Sequence, residues 1–153
     1  MNALRLLSIA VFACLAFASA ADAQPNRTAS PQVAVAASEA PSGTAVRSGG
    51  SDRNSVPGSG CSGFIKNGEP TATVTFGGGG PLSIYAMSDT DTTILVAAPD
   101  GTWHCSDDEN GSNPGVTIAK AREGKYVVWV GTLSPESAGA AAQLFAHPGP
   151  PRW

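Results

Sequence analysis

The chain has few charges, few aromatic residues and very little cysteine. Charged residues make up 14% of its 153 residues, aromatic residues make up 7%, and there are three cysteines. Nine Lys and Arg residues stand against twelve Asp and Glu residues, which gives a net charge of −3. Proteins that bind nucleic acid usually carry a basic patch that neutralises phosphates, so this composition argues against a nucleic-acid partner. The length suits a single domain.

Long apolar segments are also scarce beyond the start of the chain. A membrane-spanning helix needs roughly 20 consecutive apolar residues, and no run after residue 23 comes near that length. The sequence therefore predicts no transmembrane segment in the mature chain. The 18 glycines and 12 prolines predict many turns instead.

Residues 1–23 have the layout of a secretory signal peptide. Arg5 supplies a positive charge near the start, and an apolar run and then small residues follow it. The small residues favour cleavage after Ala23, with cleavage after Ala20 as the alternative. A lipid anchor at Cys14 is a further alternative, because the preceding residues faintly resemble a lipobox. The sequence thus predicts a secreted or periplasmic protein.

Residues 24–60 are rich in Ala, Ser, Pro and Gly and poor in aromatic residues. Such a segment buries too little apolar area to offset the entropy lost on ordering it. We therefore expect a disordered, flexible linker here. The folded domain is expected over residues 61–147, with a turn at Asn67-Gly68 that is typical of a hairpin. A Pro-rich tail is expected at residues 148–153.

The predicted domain consists of short strand-like segments separated by turns. Residues 81–88 alternate between two faces, as a half-buried strand does, and residues 124–131 repeat the pattern. The run at 92–98 is the most β-prone and is expected to be central, and Pro99-Asp100-Gly101 predicts a tight turn after it. Residues 138–146 favour a helix by their alanine content, but a closing strand by their position. The fold class that follows is all-β, a small antiparallel β-sandwich.

Two cysteines, Cys61 and Cys105, remain after the signal peptide is removed. An even pair in an exported chain predicts a disulfide bond. The chain-entropy model credits closure of such a loop with about 3–4 kcal/mol. The alternative is a reactive or metal-bound thiol, for which His104 is the one nearby soft ligand.

Acidic residues gather between residues 89 and 109, where the chain has no Lys or Arg. Like charges repel, so the cluster favours separation or a counter-cation. The loop at residues 107–113 combines hard oxygen ligands with a glycine, which suits Ca²⁺. The predicted calcium ligands are Asp107, Asp108, Asn110 and Asn113, with Asp91 beside them. The alternative is an Asx-rich turn whose side chains bond to their own backbone.

The sequence contains no pattern that favours catalysis. No Gly-flanked serine forms a nucleophile elbow, and the acidic residues share one loop instead of facing each other across a cleft. We therefore predict that the protein is not an enzyme. Trp103 and Tyr85, if they are exposed together, would form a ligand-binding platform on which sugar rings stack. The alternative is that such aromatic residues belong to the core.

Six short stretches occur in a fixed order along the predicted domain. They are LSIYA from Leu82, DTTILV from Asp91, PDGTWHC from Pro99, DD at Asp107, NP at Asn113 and GKYVVWVG from Gly124. This order resembles that of bacterial pre-peptidase C-terminal (PPC-like) domains. Those are secreted, jelly-roll-like β-sandwich modules that are often attached to exported proteases, and some of them bind calcium or matrix polymers.

The resemblance implies a non-catalytic accessory module that binds an extracellular or envelope polymer or protein, and the cofactor that it implies is calcium. A protease-associated or other hydrolase-related enzyme is one alternative function. A structural protein of the cell envelope is the other.

Overall fold

The computed structural model describes residues 24–54, 56 and 60–153, and over this range almost all of the regular secondary structure is β-strand. The predicted signal peptide, its cleavage sites and Cys14 lie outside the described residues. The strands are β1 (Val33–Ala36), β2 (Thr44–Arg47), β3 (Asp52–Arg53), β4 (Phe64–Ile65), β5 (Ala72–Phe76), β6 (Gly80–Met87), β7 (Thr92–Ala97), β8 (Trp103–Ser106), β9 (Gly115–Ala121), β10 (Gly124–Thr132) and β11 (Ala141–His147). A short 3-10 helix covers Pro135–Ser137. In this part of the chain no helix has the length and apolarity to cross a membrane.

The strands form two packed sheets, so the expected β-sandwich is confirmed. In the seven-stranded sheet, β10 pairs with β7 along one side and with β5 and then β4 along the other. β8 lies beyond β7, and β3 lies beyond β4. β1 lies beyond β5 and pairs with it in parallel. The four-stranded sheet has the order β2, β11, β6, β9 and is antiparallel throughout. Residues 141–147 therefore adopt the closing strand and not the helix.

Successive side chains of a strand point to opposite sides, and this alternation shows which of them form the core. Leu82 and Ile84 of β6 and Val128 of β10 are fully buried between the sheets. Trp129 points the other way and belongs to a second buried cluster. This assignment of faces was predicted from the period of two, because successive side chains of a strand point to opposite sides.

The turn after β7 forms as predicted. Gly101 has a φ of 96°, in the left-handed region that glycine tolerates. Asp100 accepts hydrogen bonds at one oxygen from the hydroxyl and the backbone N–H of Thr102, at 2.7 and 3.0 Å. These bonds, the hydroxyl first, lower the pKa of Asp100 below its usual value.

The segment predicted as a disordered linker contributes three strands, so that prediction is wrong over β1, β2 and β3. β1 pairs with β5, and β2 pairs with β11. The side chains involved are small, and Val33 and Val35 only rest against the main core. Their order comes from backbone pairing with strands far along the chain, which local hydrophobicity does not reveal.

The Asn67-Gly68 turn forms, but it does not make a hairpin between paired strands. It connects β4 to β5, and both of these strands pair with β10. The Pro-rich tail at residues 148–153 packs on the outer face of the four-stranded sheet. Gly149 donates its N–H to the carbonyl of Pro81 at 3.1 Å, and the ring of Trp153 meets the ring of Tyr85 edge-on at 4.7 Å.

The predicted disulfide between Cys61 and Cys105 is present, with 5.7 Å between the two Cα atoms. It joins the chain before β4 to β8. Both cysteines pack against the second cluster, which includes Trp129. The bond therefore fastens this covering segment onto the outer face of the seven-stranded sheet.

Arg27 fastens the beginning of the described chain to the same sheet. Its guanidinium donates to the carbonyl oxygens of Ala98 and Gly101. The guanidinium carbon also lies 5.1 Å from the centroid of the Trp103 ring.

Arg27→Ala is therefore expected to lower the free energy of unfolding by about 1–2 kcal/mol, since it removes charge-assisted hydrogen bonds and a cation–π contact at a partly exposed site. Arg27→Lys keeps the charge but loses the planar fork, so a smaller loss is expected. Urea denaturation measures both variants. An Arg27→Ala midpoint equal to that of the wild type would show that this contact contributes nothing.

Candidate functional site

The outer face of the four-stranded sheet brings together side chains from three strands. Across β6 and β11, the register pairs Tyr85 with Phe145 and Met87 with Gln143. From β11 to β2, it pairs Gln143 with Ala45. An aromatic row therefore lies beside a row of one thioether, one amide and one small side chain.

The aromatic row is a stack that crosses the sheet. The rings of Tyr85 and Phe145 are stacked with centroids 5.0 Å apart and planes 7° apart. Trp153 continues the row on the other side of Tyr85. It lies over Gly115, where a Cβ would come within 3.1 Å of its ring. Glycine at position 115 therefore leaves the space that Trp153 fills.

Beside this stack lies an open groove of about 780 Å³. We call it the outer groove. Its lining includes Ala45, Arg47, Met87, Asn113, Gln143 and Phe145. Small residues such as Ala45 and Ala141 leave room above the sheet. Phe145 and Met87 give the outer groove apolar surface. Small ligands usually bind on a concave, largely apolar surface where a few polar groups converge.

The polar residues of the outer groove supply both hydrogen-bond donors and acceptors. Gln143 is exposed and offers a carbonyl and an NH₂ group. The side-chain oxygen of Asn113 accepts the N–H of Ser88 at 2.9 Å, which fixes the amide in place. Arg47 donates to the carbonyl of Gly139 at 3.3 Å. Asp89 adds an exposed carboxylate that balances the charge of Arg47.

The predicted platform of Trp103 and Tyr85 does not form. Tyr85 is completely buried beneath the tail, and its hydroxyl donates to the carbonyl of Arg152 at 3.1 Å. Trp103 lies in the other sheet and packs against Trp129 with centroids 5.8 Å apart. The strand period placed Tyr85 on the correct face, but it could not show that a distant tail covers that face.

The predicted calcium ligands lie around a closed turn. Asn110 and Asn113 exchange backbone hydrogen bonds at 3.0 and 3.2 Å, so backbone pairing closes this turn. Asp107 accepts a hydrogen bond from the hydroxyl of Ser62 at 2.9 Å. One side-chain oxygen of Asp91 is buried and has no hydrogen-bond partner among the described residues.

The acidic side chains of this region do not assemble into a recognisable metal centre. Within residues 24–54, 56 and 60–153, no group of three or more His, Cys, Asp or Glu side chains is placed to hold a metal ion. Asp108 is exposed, as is Asn110. The calcium assignment to Asp107, Asp108, Asn110, Asn113 and Asp91 stays a prediction.

Sequence reasoning missed the outer groove and singled out only Asn113 of the residues named above, as a calcium ligand. Arg47 lies in the segment assigned to a linker, and Gln143 and Phe145 lie in the segment that was ambiguous between helix and strand. Alternation within β11 was the available signal, because Gln143 and Phe145 both face away from the buried Leu144. Register with β2 and β6 is needed to see that these residues share one groove.

No protein-family model matches the chain, and no curated protein matches it. The resemblance to PPC-like domains accordingly stays a prediction.

Proposed function

We propose that the chain is a secreted or periplasmic, non-catalytic binding module that holds a neutral glycan polymer of the envelope or the extracellular matrix in the outer groove. The observation that supports this proposal is the composition of the groove. It combines the ring of Phe145, a floor of small residues, and planar polar side chains whose charges balance.

Sugar rings match this lining in two ways. Their C–H faces stack on aromatic rings, and Phe145, half-buried beside Tyr85, contributes the exposed part of its ring to the wall. Their neighbouring hydroxyl groups donate and accept at the ring edge, and the amide of Gln143 can do the same. The guanidinium of Arg47 and the carboxylate of Asp89 can each engage two neighbouring hydroxyls.

Charge favours a neutral polymer over a polyanion. Arg47 and Asp89 have opposite charges within the groove, so the lining has no net charge of its own. The whole chain carries a net charge of −3, and an anionic polymer would be repelled at long range.

The disulfide supports the proposed location. Bonds of this kind persist in oxidising compartments such as the periplasm and the extracellular space. The bond between Cys61 and Cys105 agrees in this respect with the signal peptide predicted at residues 1–23.

Phe145→Ala and Gln143→Ala are each expected to weaken binding of a neutral polysaccharide about tenfold, or about 1.4 kcal/mol. Lys125→Ala is the matched control, since Lys125 is exposed at the start of β10 in the other sheet. Titration calorimetry against a panel of soluble neutral polysaccharides measures the affinities. Absence of binding across the panel, or an equal loss in Lys125→Ala, would overturn the proposal.

The same incubations test the non-catalytic part of the proposal. An assay of reducing ends measures any cleavage of the polymer over time. We expect no increase above a protein-free sample. Release that depends on the protein would instead support the alternative of a hydrolase.

A further inference from the structure

The chain contains two Asn-Gly pairs, Asn67-Gly68 and Asn110-Gly111, and both lie in turns. In such a pair, the backbone nitrogen of the glycine can attack the side-chain carbonyl of the asparagine. Glycine has no Cβ to obstruct that approach. The two pairs differ in the environment of the asparagine side chain, which is exposed at Asn110 and has a buried oxygen at Asn67.

Asn67 is held on several sides. Its N–H donates to a carboxylate oxygen of Asp52 at 2.8 Å, and its carbonyl accepts the N–H of Asn26 at 2.7 Å. Its side-chain oxygen is buried. An ion pair between Lys66 and Glu69, at 3.2 Å, spans the turn. The backbone groups of Asn110 are bonded as well, so it is the burial of the amide oxygen that distinguishes Asn67 and limits its rotation towards the nitrogen of Gly68.

Asn110 lies at the exposed tip of the loop between β8 and β9. Its backbone bonds to Asn113, but among the described residues no hydrogen bond engages its side chain or the N–H of Gly111. Gly111 has a φ of 59°, and nothing lies within 4 Å of the position that a Cβ would occupy there. The amide of Asn110 and the residue that supplies the attacking nitrogen are thus adjacent and exposed.

We propose that Asn110 is a site of spontaneous deamidation. The deprotonated backbone nitrogen of Gly111 forms a bond to Cγ of Asn110, and the side-chain nitrogen leaves as ammonia, which closes a succinimide ring. Water then opens the ring at one of its two carbonyls and gives aspartate or isoaspartate. The net reaction consumes one water and releases one ammonia, with no change in oxidation state.

The reaction would alter a turn that borders the outer groove. It adds a negative charge next to Asp107, Asp108 and Glu109, where like charges already repel. Isoaspartate also adds a methylene group to the backbone, so the two bonds between Asn110 and Asn113 could not both persist. Asn113 lines the outer groove, so this consequence for binding rests on the proposed function, whereas the deamidation itself does not.

The test is incubation of the folded, oxidised protein at neutral and at raised pH, followed by peptide mapping with mass spectrometry. We expect the peptide containing Asn110 to convert into two acidic products, at a rate that rises with pH because the attacking nitrogen must lose its proton. The peptide containing Asn67 is expected to stay unchanged in the folded protein. It should convert once the protein is reduced and unfolded.

Asn110→Ser is the matched variant, because it keeps a small polar side chain but has no amide to lose. It should show no acidic product on ion exchange over the same period. An unmodified Asn110 in wild-type protein, under conditions where the unfolded protein converts at Asn67, would overturn the proposal. Equal conversion of Asn67 and Asn110 in the folded protein would also overturn it. Neither result depends on whether the outer groove binds a glycan.

Discussion

Replacing both Cys61 and Cys105 by alanine is expected to lower the free energy of unfolding by about 4 kcal/mol. The bond joins residues separated by 44 positions, and the chain-entropy model gives this value for a closed loop of that size. Because the two cysteines also pack against the cluster around Trp129, some lost packing adds to the effect.

Guanidinium denaturation of the oxidised wild type, the reduced wild type and the double variant separates these contributions. The reduced wild type keeps both side chains and loses only the cross-link. It should therefore already show most of the decrease in free energy of unfolding that is expected for the double variant. The double variant should be slightly less stable than the reduced wild type. If reduction changes the stability by less than about 1 kcal/mol, the expected role of the cross-link is wrong.

Trp129→Ala is expected to lower the free energy of unfolding by about 3–5 kcal/mol, the usual range for deleting a buried large aromatic side chain. Trp129 is 1% exposed and packs with Ile65 and Leu95. Its indole N–H donates to the carbonyl of Lys66 at 3.0 Å. The substitution therefore opens a cavity and removes the partner of that carbonyl.

Two further variants identify the cause of that loss. Trp129→Phe keeps most of the apolar contact and removes the hydrogen bond, so about 1–2 kcal/mol is expected. Trp153→Ala deletes a tryptophan that is 41% exposed, and a smaller loss than for Trp129→Ala is expected, because less apolar area leaves water on folding. Equal effects of Trp129→Ala and Trp153→Ala, measured by urea denaturation, would contradict the assignment of Trp129 to a buried cluster.

The disulfide and Trp129 share one cluster, so their losses should not add. Residues that are in contact usually show interaction energies of about 0.5–3 kcal/mol in double-mutant cycles. Combining Trp129→Phe with removal of the disulfide measures this coupling.

The parts of the fold that were predicted are those with a local cause. Leu82 and Ile84 alternate with Ser83 and Tyr85, and that period alone places β6 and the side of it that faces the core. The strand was expected to be half-buried, but both of its sides are buried. Gly101 marks the turn after β7, because a positive φ is tolerated by few other residues. The disulfide followed from the count of cysteines in a chain that was predicted to be exported.

The parts that were not predicted have distant causes. β1 and β2 are short and their apolar side chains are small, so their order depends on pairing with β5 and β11 as well as on the burial of Val46. The tail covers Tyr85 through contacts made by Gly149, Arg152 and Trp153, and a Pro-rich composition does not indicate where such a segment docks.

The outer groove was missed for the same reason. Arg47, Met87 and Gln143 come from β2, β6 and β11, which are far apart in the sequence. Only the register of the sheet places them side by side. Acidic residues at 107–113 drew attention because they are neighbours in the chain, and the structure shows them around a turn that bonds to itself.

The most direct test of the binding proposal is a backbone-amide NMR titration of the protein with the neutral polysaccharide that binds best. We predict that the resonances of Met87, Gln143 and Phe145 shift together and saturate with one dissociation constant. Shifts confined to residues 107–113, or to the outer face of the seven-stranded sheet, would contradict the outer groove as the ligand-binding site.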